Sequence, residues 1–402
     1  MRPHDNPYTP NAGARPPALV GRDAQLESFE VLLDRLRRGR TDQSMLITGL
    51  RGVGKTVLLG ALEERARRRD WTTVDAEITK HVGFGVRMAQ LVRRALLQVA
   101  PRARWRDRGK RAAAVLKSFQ TTVLPQGDLT FGLEVDAAEG FADSGSLGED
   151  LTDVLIGLGE AAQEQGKGVV FLFDEVQFLS TEELEALIAA LHKTVQRQLP
   201  ITLVGAGLPQ LPRLAGEAKS YAERLFAFPT IGRLSDDEAR EALVKPAEPL
   251  GVAYETDAVD AILEYTQGYP YFLQEYGKLV WDRAEQSPVT RQDVEDAREA
   301  VEAKLDSSFF RVRTDRVTEL ELQYMRAMAE LGAEPQAAKD VAKLMHRTSE
   351  QLGPTRSRLI EKGLLYTPSH GYAAFTVPQF DRYMRRAHVL DVPLPKRRGR
   401  EA

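Results

Sequence analysis

One stretch of eight residues decides the fold of this chain: Gly49-Leu50-Arg51-Gly52-Val53-Gly54-Lys55-Thr56. It matches G-x-x-x-x-G-K-[ST], a glycine-rich loop that binds phosphates. Residues 45–48 before it form an apolar run typical of a buried strand, and an apolar helical pattern follows from Val57. A strand, a turn and a helix in this order direct backbone N–H groups and the positive end of a helix dipole at one anion. The stretch therefore predicts a nucleoside triphosphate site.

Two side chains of this 49–56 loop have distinct expected roles. Lys55 would place its charge at the β- and γ-phosphates, and Thr56 would offer its hydroxyl to Mg²⁺. The backbone of the loop and of the first helical turn would supply the remaining contacts. We expect the nucleotide to touch Gly49, Leu50, Arg51, Gly52, Val53, Gly54, Lys55, Thr56 and Val57.

A second motif, Phe171-Leu172-Phe173-Asp174-Glu175, is an apolar strand that ends in two acids. This is the Walker B pattern, and in a parallel sheet such a strand end lies where ligands collect. We expect Asp174 to hold Mg²⁺ and Glu175 to orient the attacking water, because phosphoryl transfer depends on positioning and charge. The alternative, an acidic helix cap, is disfavoured by the presence of the 49–56 loop.

Short apolar runs alternate with amphipathic helical stretches between residues 45 and 231. This alternation predicts an α/β fold, a P-loop NTPase parallel sheet with helices on both faces. The predicted strands are 45–48, 73–78, 169–173, 201–204 and 226–231.

The pattern changes along the chain predict several further segments. Residues 1–18 contain five prolines and are expected to form a flexible arm, followed by the nucleotide-binding domain over 19–233. Residues 101–148 form a basic insertion with an alternating, hairpin-like run at Leu129, Phe131, Leu133 and Val135. This insertion is either a solvated basic helix with a hairpin packed on the core or a contact for a partner or nucleic acid. An all-helical lid is predicted over 234–310.

The last segment is predicted to be a winged helix-turn-helix over 318–390 with a basic tail over 391–402. Helical patterns at 319–331, 337–346 and 350–362 precede two short runs that would pair as a wing. Residues 319–402 hold 14 Lys and Arg against 10 Asp and Glu, which suits a nucleic acid backbone. The third helix would present four side chains to the major groove of double-stranded DNA: Gln351, Thr355, Arg356 and Arg358. The open alternative is that this segment packs on the nucleotide-binding domain or binds a protein partner.

The motifs together resemble a known family. Val20-Gly21-Arg22, the 49–56 loop, Asp174-Glu175 and Gly268-Tyr269-Pro270 are similar to motifs of AAA+ ATPases, in the order seen in origin-recognition and archaeal-type ATPases and in STAND signalling NTPases. This resemblance implies ATP rather than GTP, with Val20, Gly21 and Pro270 near the nucleotide. It also implies that Arg224 acts as an arginine finger in trans within a homo-oligomer.

The same resemblance predicts a slow enzyme. Such proteins end their fourth strand with a polar sensor residue, whereas residues 205–207 are Gly-Ala-Gly, and a second-sensor arginine is missing from residues 268–273. The expected function is an ATPase that couples its nucleotide state to DNA association. The alternative is a STAND-type switch whose winged helix has a packing or protein-binding role.

Composition limits the setting in which the chain works. There is no cysteine, so disulfides and thiolate metal sites are excluded. The net charge of −3 gives no global case for nucleic acid binding. The apolar runs are far shorter than a membrane span, and the first twenty residues lack the apolar core of a signal peptide. The expected location is therefore the cytoplasm, without a membrane partner.

Overall fold

A computed structural model describes residues 1–79, 82–101, 107–123 and 135–391. The chain divides into two compact units. The sheet unit consists of Arg22–Gly49 and Lys55–Ile231, and the helical unit consists of Met1–Gly21, Leu50–Gly54 and the described residues from Gly232 onward. Each unit has its own hydrophobic core.

The sheet unit is built on five parallel strands in the order β2-β3-β4-β1-β5. Their bounds are β1 Ser44–Thr48, β2 Thr72–Glu77, β3 Val169–Asp174, β4 Ile201–Gly207 and β5 Phe226–Ala227. Every residue of β1 and β4 is buried, as expected of a parallel sheet covered by helices. The predicted α/β class is confirmed.

Eight α-helices accompany the strands in the described part of this unit. They are α1 Asp23–Arg37, α2 Lys55–Arg68, α3 Phe84–Val99, α4 Asp107–Val123, α5 Leu147–Glu164, α6 Thr181–Gln196, α7 Leu211–Ala218 and α8 Ala222–Leu225. Among the described residues of the whole chain, no helix is both long and apolar enough to cross a bilayer.

The fifth strand is shorter than predicted. It ends at Ala227 instead of Ile231, and only an isolated bridge between Thr48 and Thr230 continues the pairing. Pro229 explains the break because proline has no N–H to donate to a neighbouring strand. Its carbonyl still accepts a hydrogen bond from the Thr48 N–H at 2.9 Å.

The basic insertion contributes one helix, α4, to the core of the sheet unit. Leu116 and Phe119 on this helix are fully buried, whereas Arg111 stays near the surface over the ring of Phe141, at 5.1 Å from its centroid. This packing supports the interpretation of a basic helix that lies on the core. The predicted hairpin run lies outside the described residues except for Val135, and so do Arg102, Arg104 and Arg106.

From Gly232 onward, the helical unit has the lid helices first and then four helices, α14 to α17, with a small antiparallel sheet of order β6-β8-β7. Its elements are α9 Asp236–Val244, α10 Thr256–Thr266, α11 Pro270–Arg283, α12 Arg291–Lys304, a π-helical turn Leu305–Phe310, α13 Arg311–Thr314, α14 Glu319–Leu331, β6 Gln336–Ala337, α15 Ala338–Leu344, α16 Ser349–Glu361, β7 Leu365–Tyr366, β8 Tyr372–Phe375 and α17 Phe380–Ala387. Helices α14 to α16 and strands β7 and β8 lie close to the predicted positions. The classification as a winged helix stays a prediction.

The lid and the C-terminal helices share one core. The ring of Phe310, at the end of the π-helical turn, stacks on Tyr383 of α17 at 5.1 Å and meets Phe272 of α11 edge-on at 6.1 Å. Aromatic pairs of this geometry add stability beyond the area that they bury. The lid and the C-terminal helices therefore pack as one body within the helical unit.

The prediction of a flexible arm is wrong for the first residues of the chain. Tyr8 is only 2% exposed, and its hydroxyl lies 2.6 Å from the carbonyl of Leu243. Gly277 makes room for the ring, since a Cβ at that position would lie 2.8 Å from Tyr8. The prolines predicted a mobile segment, but the buried Tyr8 ring and hydrogen bonds such as that from Trp281 to the Arg2 carbonyl fix it on the lid.

Candidate nucleotide site

The 49–56 loop joins β1 to α2, as the sequence predicts. In the sheet unit, the Gly49 N–H donates to the carbonyl of Gly207 at the end of β4. Lys55 is the first residue of α2 and is 8% exposed. Its ammonium donates to the Gly49 carbonyl at 2.9 Å, which holds the charge at the loop.

The loop requires glycine at Gly54 for its backbone conformation. Its φ of +89° lies in the left-handed region that other residues rarely adopt, although a Cβ there would meet nothing within 4 Å. Glycine is therefore required at this position by the backbone conformation and not by a steric clash of a side chain. The turn brings α2 to the carboxyl edge of the sheet.

Thr56 and Asp174 meet at this edge. The Thr56 hydroxyl donates to a carboxylate oxygen of Asp174 at 2.5 Å. A hydroxyl and a carboxylate fit Mg²⁺, which prefers oxygen ligands and usually binds one or two protein groups together with substrate phosphates. Within the described ranges, no group of three or more His, Cys, Asp or Glu side chains could hold a metal. A magnesium ion bound to Thr56 and Asp174 would complete its shell with water or with phosphate oxygens.

Glu175 directly follows β3 with a left-handed backbone at φ 56°. The carboxylate of Asp174 accepts a hydrogen bond from the Glu175 N–H at 2.8 Å. The carboxylate of Glu175 in turn accepts a hydrogen bond from the side-chain amide of Gln177. Gln177 was not among the predicted site residues, since a single glutamine two positions after an acid belongs to neither of the two nucleotide-binding motifs.

The centre of the loop, Leu50–Gly54, belongs to the helical unit. The Arg51 N–H donates to the carbonyl of Thr376 at 2.9 Å, and the Tyr271 N–H donates to the carbonyl of Gly52 at 3.2 Å. Pro270, predicted to lie near the nucleotide, is the first residue of α11 and immediately precedes Tyr271. The contacts of Tyr271 and Thr376 with the loop were missed because both residues are far away in the sequence.

Two arginines add positive charge near the centre of the loop. The guanidinium of Arg313 lies 4.3 Å from the centroid of the Phe309 ring and donates to the Phe309 carbonyl. Burial, and then the charge of Arg51, lower the pKa of Arg313 to about 10. Two like charges in this position are stabilised by an anion. No motif of the sequence pointed to Arg313.

The remaining predicted nucleotide contacts lie beside the lid. Val20 packs against the core of the helical unit, and a Cβ on Gly21 would lie 2.6 Å from the carboxylate of Glu238. The glycine of the Gly268-Tyr269-Pro270 motif is required because a Cβ there would lie 2.4 Å from the Leu234 carbonyl.

Arg224 is exposed on the short helix α8, directly before β5. An arginine finger that acts in trans must be exposed in a single copy of the chain, so this position is compatible with the expected role. That role stays a prediction.

The predicted DNA-reading face of α16 is wrong in part. Thr355 is 1% exposed, so its hydroxyl does not reach a DNA groove. The guanidinium of Arg356 donates to the Tyr372 carbonyl at 2.6 Å, which ties it to β8. Gln351 is exposed, but its amide oxygen accepts from the Thr348 N–H in the capping box of α16. Helical spacing had placed these residues on the surface, whereas helix packing decided which of them lie inside.

Arg358, the fourth predicted DNA contact, pairs with a buried acid. Its guanidinium donates to Glu321 at 3.1 Å, and the Lys362 ammonium donates to the other oxygen of this carboxylate at 2.7 Å. Burial alone would raise the pKa of Glu321, but hydrogen bonds from Lys362, from the Thr318 N–H and from Arg358 lower it to about 2. Glu321 therefore stays ionised and holds both cations in place.

Comparison with known proteins supports the interpretation of the sheet unit. Residues 18–204 match the family model of an AAA ATPase domain, and residues 307–384 match a domain of unknown function, DUF8462. No curated protein matches this sequence.

Two solved structures resemble most of this chain. The Walker-type ATPase PABY2304 of Pyrococcus abyssi gives a TM-score of 0.55 at 14% identity, with 92% of this chain and 97% of that chain covered. The ORC2 protein of Aeropyrum pernix, solved as ADPNP–ADP complexes, gives 0.55 at 17% identity, with 93% and 95% covered. At these identities the likeness concerns the fold. Residues 18–204 thus form an AAA ATPase domain, within a fold that the chain shares with these two proteins.

Proposed function

We propose that this protein binds ATP with Mg²⁺, hydrolyses it slowly to ADP and phosphate, and works as a nucleotide-dependent switch. One observation carries the proposal: the Thr56 hydroxyl lies 2.5 Å from the Asp174 carboxylate. Two motifs 118 residues apart in the chain thus meet as the oxygen ligands that a magnesium nucleotide requires.

The loop supplies the binding chemistry. Lys55 would exchange its bond to the Gly49 carbonyl for bonds to the β- and γ-phosphates, while Arg51 adds positive charge to the same loop. When bound, Mg²⁺ would be held by Thr56 and Asp174 and would neutralise charge on the transferred phosphoryl group.

Glu175 is the proposed residue for the attacking water. Glu175 directly follows Asp174 in the chain. Its carboxylate would accept a hydrogen bond from a water beside the γ-phosphate and so orient that water for attack. The slow rate is expected because the end of β4, Gly205-Ala206-Gly207, offers no polar side chain to the phosphate.

Nucleotide binding is tested with Lys55→Ala and, as a matched control, Lys193→Ala on the exposed face of α6. Titration with a fluorescent ATP analogue should show an affinity loss on the order of 100-fold for Lys55→Ala, since a charge-assisted phosphate contact is lost. Lys193→Ala should bind like the wild type. Equal affinity of Lys55→Ala and wild type would refute the site.

Hydrolysis is tested with Glu175→Gln, with Glu182→Gln on the exposed start of α6 as control. Phosphate release should fall on the order of 100-fold in Glu175→Gln while ATP affinity is kept, because the amide cannot take a proton. Turnover at the wild-type rate would remove Glu175 from the mechanism.

The switch rests on the hydrogen bonds of the loop centre to Thr376 and Tyr271. Phosphates that bind the loop would shift its backbone and thereby strengthen or weaken the hydrogen bonds to Thr376 and Tyr271. A local change at the nucleotide would in this way alter residues that do not contact it. Hydrogen–deuterium exchange of residues 371–376 should differ between the ATP and ADP states, and Lys55→Ala should abolish the difference. Identical exchange in both states, with nucleotide bound, would contradict the switch.

DNA association is the second candidate, favoured by the 14 basic against 10 acidic residues in 319–402. Phosphate contacts would make affinity fall steeply with salt. Fluorescence anisotropy with duplex DNA between 50 and 200 mM salt, with and without ATP, tests it. Absence of binding at the low salt concentration in both nucleotide states would exclude this candidate.

A homo-oligomer with Arg224 as finger is the proposed active form. Arg224→Ala should then lower the specific activity, whereas Arg213→Ala, an exposed arginine of α7, should not. A further readout is the dependence on concentration: the specific activity of the wild type should rise as the chain is concentrated. Full activity of Arg224→Ala would exclude the finger.

A further inference from the structure

The geometry points to Gln177 as the positioning residue for Glu175, in place of the polar side chain that is missing at the end of β4. This inference rests on the proposed ATPase function. Gln177 lies in a short 3₁₀ turn, Val176–Phe178, directly after the acid pair. It is half-buried, and its hydrogen-bond partners Glu175 and Leu208 belong to the sheet unit.

The side-chain amide of Gln177 makes one bond at each end. Its N–H donates to the carboxylate of Glu175, and its oxygen accepts from the Leu208 N–H at 3.1 Å. A backbone N–H can only donate, so the contact with Leu208 fixes which end of the amide is the oxygen. The amide nitrogen must therefore face Glu175. The backbone N–H of Leu208 thus selects one of the two possible orientations of the Gln177 amide.

The end of β4 is shaped to admit this amide. Leu208 directly follows β4, whose last residue is Gly207. A Cβ on Gly207 would lie 2.6 Å from the amide oxygen of Gln177, closer than any side-chain carbon tolerates. The glycine that removes a polar side chain from the strand end thus makes room for the polar group of Gln177.

The hydrogen bond from Gln177 would fix the position of the Glu175 carboxylate during hydrolysis. A carboxylate that orients water gains from being held at one angle, since a misplacement of about 1 Å costs about 100-fold in rate. Gln177 holds Glu175 from the side of β4, the strand next to β3 and β1. It acts through Glu175 and is itself not a catalytic residue.

The test measures kcat and KM for ATP in Gln177→Ala and in Gln210→Ala. Gln210 is the control because it is the first glutamine after β4 in the chain, and its buried side-chain oxygen has no hydrogen-bond partner among the residues that the structure describes. Gln177→Ala should lower kcat by about 10- to 100-fold with KM changed less than about threefold, and Gln210→Ala should change neither. An unchanged kcat in Gln177→Ala would overturn the assignment.

A double substitution separates positioning from a general loss of structure. In Glu175→Gln, the further change Gln177→Ala should alter turnover less than about twofold, because the two residues act as one unit. A full additive loss would overturn the claim that Gln177 acts through Glu175. If Gln177→Ala does not fold, Gln177→Glu keeps the acceptor for Leu208 and replaces donation to Glu175 with repulsion. That variant should also lose kcat, and wild-type kcat in it would equally overturn the assignment.

Gly207→Ala provides an independent route to the same effect. The added methyl group must displace the Gln177 amide, so kcat should fall as in Gln177→Ala and the two changes together should not add. Turnover in the wild type that does not depend on Glu175 would refute the proposed function. Turnover that depends on Glu175 and is unaffected by Gln177→Ala would refute only the role of Gln177.

Discussion

The 49–56 loop and helix α16 both carry polar side chains that the sequence predicts to bind a ligand, yet these side chains have different partners. In the sheet unit, Thr56 and Asp174 bond to each other in a solvent-exposed pair that a ligand can replace. On α16, Thr355 is buried and Arg358 is fixed by the buried carboxylate of Glu321. An exposed pair costs little to rearrange, whereas a buried charge that loses its partner costs several kcal/mol. Function therefore needs polar groups whose partners can be exchanged.

The largest expected effect tests the exchangeable pair. Asp174→Asn should lower turnover on the order of 100-fold, because a neutral ligand holds the metal less well and several kcal/mol of charge stabilisation depend on it. A higher Mg²⁺ concentration should be needed for half-maximal phosphate release. Asp75→Asn on the exposed face of β2 is the control. If Asp174→Asn and wild type need the same Mg²⁺ concentration, Asp174 does not hold the metal, and its pair with Thr56 is not exchanged for a ligand.

The next effect tests the fixed pair. Glu321→Gln should destabilise the protein by about 1–3 kcal/mol, because the buried carboxylate that holds Arg358 and Lys362 is lost. Thermal unfolding measures the change, and Glu350→Gln on the exposed start of α16 should stay within about 0.5 kcal/mol of wild type. A melting temperature of Glu321→Gln equal to that of wild type would show that the pair is dispensable.

The pH dependence of stability gives a second test of the Glu321 pair. The pKa of Glu321 is about 2 in the folded protein and 4.5 for an ordinary glutamate. A lowered pKa contributes stability above the ordinary value and loses it as the pH falls toward the folded value. The stability gap between wild type and Glu321→Gln should therefore shrink between pH 5 and pH 2. A gap that stays constant over this window would contradict the ionised state of Glu321.

A smaller effect tests the centre of the loop. Gly52 has φ +81°, and a Cβ there would lie 3.3 Å from the Cβ of Tyr271. Gly52→Ala should therefore destabilise the protein by about 1–2 kcal/mol. Gly60→Ala in α2, where a Cβ meets nothing within 4 Å, should instead stabilise by about 0.5–1 kcal/mol. Opposite signs by calorimetry are expected, and equal signs would argue against strain in the loop.

The smallest effect concerns Arg356. Its guanidinium is engaged with Thr367 and the Tyr372 carbonyl, so Arg356→Ala should change DNA affinity by less than about twofold at any salt concentration. Lys339→Ala, on α15, is the comparison variant for a basic side chain nearby. If Arg356→Ala instead binds DNA more weakly, and the slope of log affinity against log salt concentration falls by about 1, Arg356 contacts DNA after all.

Much of the fold was predictable because its signals are local. The loop motif needs only consecutive residues, and β3 and β4 are apolar runs that can be recognised without knowledge of their neighbours. The limits of the strands were less predictable: Pro229 ended β5 early, while β4 continued to Gly207 through small residues. Propensity weakens at strand ends, where hydrogen bonds from neighbouring segments decide the boundary.

The sequence by itself determined the strand–loop–helix at residues 49–56, the acids at 174 and 175, and the parallel α/β architecture. These follow from backbone geometry and from side-chain periodicity over short distances. Only the tertiary structure decided that Gln177 donates to Glu175, that the Thr376 carbonyl accepts from the Arg51 N–H, and that Arg358 pairs with the buried Glu321. Such pairings join distant or unpatterned residues, because burial and packing of whole elements select which polar groups meet.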